Sequence, residues 1–187
     1  MMTIVVQDHS LAIHPIASDE LEAVLDVYKQ CEDFLALGPV ATASMAMVLQ
    51  DLAHSQAEQG IFCGIYTATG NLIGIVDYVP HSYQGQRHIA FLALLMIAAP
   101  FRNQGIGQAV VAAIEAAIRQ DVKVSTILSG VQVNNPQAMR FWQRLGYRIV
   151  SAPKLHPDQT TAVDLQKDFN DEVNTLVTAC RSAVAQQ

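Results

Sequence analysis

Cysteine is scarce. Cys31, Cys63 and Cys180 are the only three in 187 residues. They lie far apart and match no metal-site or disulfide spacing, which excludes a cysteine-stapled secreted fold and suits a reduced, cytoplasmic protein. No apolar run is long enough to span a bilayer, so no membrane partner is expected. The opening residues, MMTIVVQDHS, carry no basic group ahead of their apolar stretch and are not expected to act as a secretory signal. Internal repeats and low-complexity linkers are also missing. What remains is a chain with 51% hydrophobic and 15% charged residues, too apolar for a disordered protein. Its length suits a single domain, residues 1–187, with a full core.

Basic residues are few and unevenly placed. Between residues 87 and 154 lie Arg87, Arg102, Arg119, Lys123, Arg140, Arg144, Arg148 and Lys154, against only Glu115 and Asp121. The rest of the chain is strongly acidic, which argues against nucleic acid as a partner. The basic half suits a polyanionic ligand. The acidic remainder fits either a cationic amine partner or a solvated face that aids solubility.

The most informative stretch is LALLMIAAPFRNQGIGQAVVAAIEAAI, residues 92–118. The apolar run over residues 89–99 has no charge and reads as a central strand covered on both faces. After a short loop, Ile106, Val110, Ile114 and Ile118 recur at helical spacing. Gly105 and Gly107 stand at the entrance of that helix. Glycine lets backbone approach a ligand closely, and the free N–H groups and dipole of a helix start favour an anion such as phosphate. A dinucleotide fingerprint would need a third glycine where Val110 stands. A P-loop would need Lys and then Ser or Thr where Gln108 and Ala109 stand. The surviving pattern is R-x-x-G-x-G, from Arg102 to Gly107.

A second segment, VQVNNPQAMRFWQRLGY at residues 131–147, follows one helix and one strand later. Asn135, Ala138, Phe141, Trp142, Gly146 and Tyr147 stand at the spacing of a second motif. In this order the two segments resemble the GNAT superfamily of N-acetyltransferases, across roughly the C-terminal half of the chain. The resemblance implies an α/β fold: a mixed, mostly antiparallel sheet of about seven strands, splayed at the cofactor site and flanked by helices. The core is expected over residues 10–167.

Local signals fill in the rest. Strands are expected at residues 11–16, 61–68 and 72–79, the last two joined by a tight turn at Gly70-Asn71. Helices are expected from Ser18 to about Gln30 and from about Ser44 to Glu58. Another strand is expected at 124–133, then a helix capped by Asn134 or Asn135, with Pro136 at its first position and Gly146 ending it. Two final strands are expected at 147–152 and 161–165. Residues 168–187 read as an added amphipathic helix, packed on the domain or on a second subunit, so monomer and homodimer both stay open.

The resemblance implies acetyl transfer from acetyl-CoA to a primary amine of a small molecule or peptide, without metal. It implies that Leu95, Met96 and Ile97 meet the thioester and pantetheine arm. Arg102, Asn103, Gln104, Gly105, Ile106, Gly107 and Gln108 form the pyrophosphate loop, with Arg102 adding charge or ordering it. Asn135 and Phe141 line the arm. Glu32, Asp33 and Phe34 become acceptor-site candidates, and Tyr78, next to Asp77 in sequence, is a fourth. Two departures stand out. Trp142 occupies a position where many family members carry a Tyr proposed as general acid, and an indole N–H is not an acid at neutral pH. Tyr147 is the nearest substitute. The central strand also has no Glu to act as base, leaving Asp77 as the best carboxylate nearby and His81 and His88 as alternatives. Proximity with proton transfer through water is a further route. These departures keep open a non-catalytic acyl-CoA-binding module.

Overall fold

The computed structural model describes residues 3–6 and 10–169. One nine-stranded sheet organises them. The strands are β1 (Ile4–Val6), β2 (Leu11–Pro15), β3 (Ile61–Thr67), β4 (Leu72–Val79), β5 (Ile89–Ile97), β6 (Thr126–Gln132), β7 (Arg148–Ile149), β8 (Lys154–Leu155) and β9 (Thr161–Asp168). Their order is β1-β2-β3-β4-β5-β6-β9-β7, with β8 also on β9. All neighbours are antiparallel except β5 and β6. The helices are α1 (Leu21–Lys29), α2 (Glu32–Leu35), α3 (Met45–Ala57), α4 (Ile106–Ile118) and α5 (Pro136–Arg144).

The helices cover both faces of the sheet. On one face Val110, Val111, Ile114 and Ile118 of α4 and Trp142 of α5 pack on Cys63, Val76, Tyr78, Leu92 and Ile127. On the other, Val24, Val27 and Tyr28 of α1 and Val48 of α3 pack on Phe62, Ile75 and Met96. The central strands are near-continuous apolar runs because both of their faces are buried.

The feature that makes a site is in β5. Asp77 of β4 pairs with Leu94, but the next residue, Tyr78, pairs with Leu92. Ala93 is therefore an extra residue, a β-bulge, and it bends the strand. β5 pairs with β6 only over Ile89↔Thr126 to Leu92↔Ser129. At the last rung the Ser129 hydroxyl donates to the Leu92 carbonyl at 2.9 Å. Beyond it, residues 94–97 stay on β4 while β6 stays on β9 through Gln132. The two parallel strands part, leaving a wedge between them.

Several expectations change in detail. The first helix begins at Leu21, not at Ser18, and Glu20 reaches back to accept from the Ala17 N–H at 2.7 Å. A four-residue helix, α2, stands ahead of Gly38-Pro39, between the first two expected helices, where no element is expected. The last strands are divided differently: β7 and β8 are two residues each, and β9 continues to Asp168. Asp168 thus closes a strand and does not open a helix; the remainder of the expected C-terminal helix lies outside the described residues.

Candidate active site

The wedge opens beside the start of α4. Asn103 and Gly105 both have positive φ, 59° and 79°, so the loop turns twice through the left-handed region before the helix begins. Glycine adopts that conformation without strain, and Asn is among the residues that tolerate it best. Gln104 braces the turn by donating from Nε2 to the Pro100 carbonyl at 3.0 Å. The first intrahelical bond runs from Ala109 N–H to the Gly105 carbonyl. The N–H groups of Ile106, Gly107 and Gln108 are thus the unpaired donors of the helix start. A methyl placed on Gly107 would lie 3.5 Å from the Phe141 ring and 3.9 Å from Leu95 Cδ2. The glycine loop, α5 and β5 therefore meet at one point at the mouth of the wedge.

Asn135 is the cap of α5: its Oδ1 accepts from the Ala138 N–H at 2.9 Å. Pro136 at the first helical position is pre-set for this start. Phe141 meets Trp142 edge-on at 5.2 Å, and Trp142 meets Tyr147 edge-on at 4.9 Å. Trp142 is buried in the α4-side core.

Arg102 orders the loop. Its Nε donates to the Ile97 carbonyl at 2.7 Å, one terminal nitrogen pairs with Asp33 at 2.5 Å, and the other donates to the Gln30 carbonyl at 3.2 Å. One side chain thereby ties the end of β5 to α1 and α2. The guanidinium bond holds the Asp33 carboxyl below the usual carboxylate range. Glu32 is also engaged, accepting from the Ala43 N–H at 2.9 Å. Phe34 packs against the α1–α3 core. These three α2 residues thus sit at the wedge end of β5, with both carboxylates bonded to protein groups.

Three residues are placed otherwise than expected. The Tyr147 hydroxyl donates to Glu115 Oε1 at 3.1 Å within the core. Glu115 lies ten residues along α4 from Gly105, about 15 Å of helix rise from the mouth. Burial first, and Glu115 second, push the Tyr147 hydroxyl far above its ordinary range. Tyr147 is not brought to the wedge. Tyr78 is buried on the α4 face, opposite α2, and burial pushes its hydroxyl up to about 12. Asp77 lies one strand from the wedge, under α3, accepting from the Ser55 hydroxyl at 2.7 Å. Burial raises its carboxyl above the ordinary range, and the nearby Asp51 adds to this while the Ser55 bond opposes it.

Sequence reasoning missed Gln132, at the wedge end of β6. Its Oε1 is buried and has no hydrogen-bond partner. A lone Gln ahead of the Asn-Asn-Pro helix start gives no signal in the sequence.

The Acetyltransferase (GNAT) family model matches residues 21–147. The chain belongs to this family. No curated protein matches the sequence. Among solved structures, an acetyltransferase from Thermus thermophilus is similar at a TM-score of 0.70 and 18% identity, covering 90% of this chain and 100% of that one. A ribosomal-protein-alanine N-acetyltransferase from Brucella melitensis gives 0.63 and 18%, covering 84% and 99%. A spermidine N-acetyltransferase from Vibrio cholerae, in complex with CoA and spermine, gives 0.63 and 13%, covering 85% and 95%. Identities this low show the fold and carry no substrate. The splayed, mixed sheet is the GNAT fold, and the family's acyl donor is acetyl-CoA. No group of His, Cys, Asp and Glu among the described residues could hold a metal, and no described helix is long and apolar enough to cross a membrane.

Proposed function

We propose that this GNAT protein transfers an acetyl group from acetyl-CoA to a primary amine of a small molecule or peptide by direct attack. The observation that carries this is the wedge between β5 and β6, opening beside a glycine-lined helix start. The residues fit a CoA thioester. Unpaired N–H groups of residues 106–108 and the α4 dipole suit a pyrophosphate. The uncovered edge of residues 94–97 suits an extended pantetheine arm, and the backbone there suits the thioester oxygen. Asn135 has its Oδ1 engaged in the cap, so Nδ2 is the donor it offers the arm. Phe141 forms an apolar wall. Bound there, acetyl-CoA supplies an activated acyl carbon and a thiolate leaving group.

The acceptor nitrogen must lose a proton before it attacks. Asp77 receives that proton through water in this reading, and burial raises its carboxyl above the ordinary range, the direction that makes a carboxylate a stronger base. Tyr147 takes no part; the departing sulfur draws its proton from solvent. The decisive experiment follows thiol release from acetyl-CoA with amines, amino acids and peptides as acceptors. Turnover with one class supports the transferase. Tight acetyl-CoA binding without turnover supports a non-catalytic binding module instead.

Asp77→Asn separates two effects. A carboxyl whose folded pKa is raised favours folding when protonated, and that stability is lost as pH rises through the folded value. Asn keeps an acceptor for the Ser55 hydroxyl and removes the charge. The variant is therefore expected to melt above wild type at pH 7, with the difference closing toward pH 4, while kcat falls at least 100-fold. Parallel melting curves at every pH would refute the stability part, and unchanged kcat the catalytic part.

A further inference from the structure

Gln132 ends β6 at the level where β5 has already turned away. Gly130 and Gln132 project to the same face of the strand, and so do their β9 partners Asp164 and Ala162. A methyl on Gly38, just after α2, would meet Gln132 Nε2 at 3.7 Å, so this is the α2 face of the sheet. Asn134 fixes the overlying segment by donating from Nδ2 to the Leu37 carbonyl at 2.9 Å. Beside Gln132, Gly130 is exposed and a methyl added there would touch nothing within 4 Å. An open floor thus leads to a buried amide oxygen with no protein partner. A buried acceptor left unbonded costs about 1–3 kcal/mol, and native proteins keep few of them.

The acids on this face already have protein partners. Glu32 accepts from the Ala43 N–H, Asp33 pairs with Arg102, and Asp164 pairs with Lys154 at 2.6 Å. A neutral, buried carbonyl oxygen matches a neutral N–H. A polycation would gain little from a neutral amide oxygen, and two of the three acids here, Asp33 and Asp164, are already ion-paired.

We propose that Gln132 is a specificity-determining residue of the acceptor site, its Oε1 receiving a backbone N–H of a peptide acceptor. The acceptor class that follows is a peptide N-terminus. This rests on the acetyltransferase reading above and narrows it.

The test is Gln132→Leu, which fills similar volume and removes the polar atoms. The donor probe is acetyl-CoA. The acceptor probes are tripeptide amides with the first residue varied, and spermidine. Because Oε1 bonds nothing in the protein, the variant is expected to melt at or above the wild-type temperature. KM for the best peptide should rise about tenfold, the loss of one buried hydrogen bond. The change in kcat should be smaller, and calorimetric affinity for acetyl-CoA alone should not change. An unchanged peptide KM overturns the proposal. So does a weakened acetyl-CoA affinity with peptide KM intact, which would assign the amide to the pantetheine arm. Preference of the wild type for spermidine also overturns it. Turnover that ignores Gln132 removes this inference alone, whereas a wild-type protein that turns over no acceptor removes the transferase reading with it.

Discussion

Gly107→Glu is expected to weaken acetyl-CoA binding on the order of 100-fold or more while the protein stays folded, about 2.7 kcal/mol of binding free energy. The two parts of this result have separate causes. Gly107 lies in the first turn of α4 without positive φ. A methyl there would make only ordinary contact with Phe141 and Leu95. A helical position gains on replacing glycine, and an acid in the first turn interacts well with the dipole, so stability should hold or rise. The same carboxylate fills the mouth of the wedge and places negative charge where a pyrophosphate would be drawn. Calorimetry with acetyl-CoA and a thermal melt check both parts. Undiminished affinity in a folded variant would disconnect the glycine loop from the cofactor. Gly105 is a poorer target, because its φ of 79° makes any side chain strained and mixes folding with binding.

Glu115→Ala should have the largest effect on stability. The Glu115 side chain is 5% exposed and Oε2 accepts from Lys167 Nζ at 2.8 Å, with Arg119 at 3.5 Å. Its Oε1 accepts from the Tyr147 hydroxyl. Lys167 is itself only 16% exposed. Removing the acid leaves a half-buried ammonium and a buried phenol without this shared acceptor. Breaking a buried pair in this way costs about 3–5 kcal/mol, or roughly 10 °C in Tm at this chain length. Because Glu115 lies far along α4 from Gly105, acetyl-CoA affinity measured below the transition should not move. Glu115→Ala combined with Lys167→Met should recover part of the loss, since the cation that lost this acceptor goes too. A single variant melting with the wild type would show the network to be without net value.

Much of this was legible in the chain. Strands and helices with a long, clean period were readable because burial on one or two faces imposes that period. Pro136, Asn135 and Gly146 announced the ends of α5 through backbone chemistry that acts locally. The glycine loop could be read for the same reason. What escaped depends on contacts between distant residues. Nothing near Arg102 indicates that it bonds Asp33, 69 positions away, so its choice between charge and order could be decided only in three dimensions. α2 is one turn long and has no period to detect. Tyr78 sits beside Asp77 in sequence, but alternation along a strand sends the two to opposite faces, which separates the expected acceptor contact from the expected base. Tyr147 closes the second motif in sequence, but in the fold its hydroxyl goes to Glu115. Gln132 is informative only because its oxygen has no partner, and a string of letters does not show that.

The bulge at Ala93 bears on how such a site can be gained or lost. Leu92 and Leu95 both lean on the α4 side although three positions apart, while Leu94 and Met96 lean on the α1–α3 side. The parity of the strand changes at one extra residue. Deleting Ala93 would restore even pairing with β4 and leave every position from 94 onward on the partner and the face it already has. Point substitutions can weaken the walls of the wedge one by one, but the wedge itself is recorded as a count of residues. A lineage of this sheet would therefore close or open its cleft by insertion and deletion, in a single step, with the side chains along it unchanged.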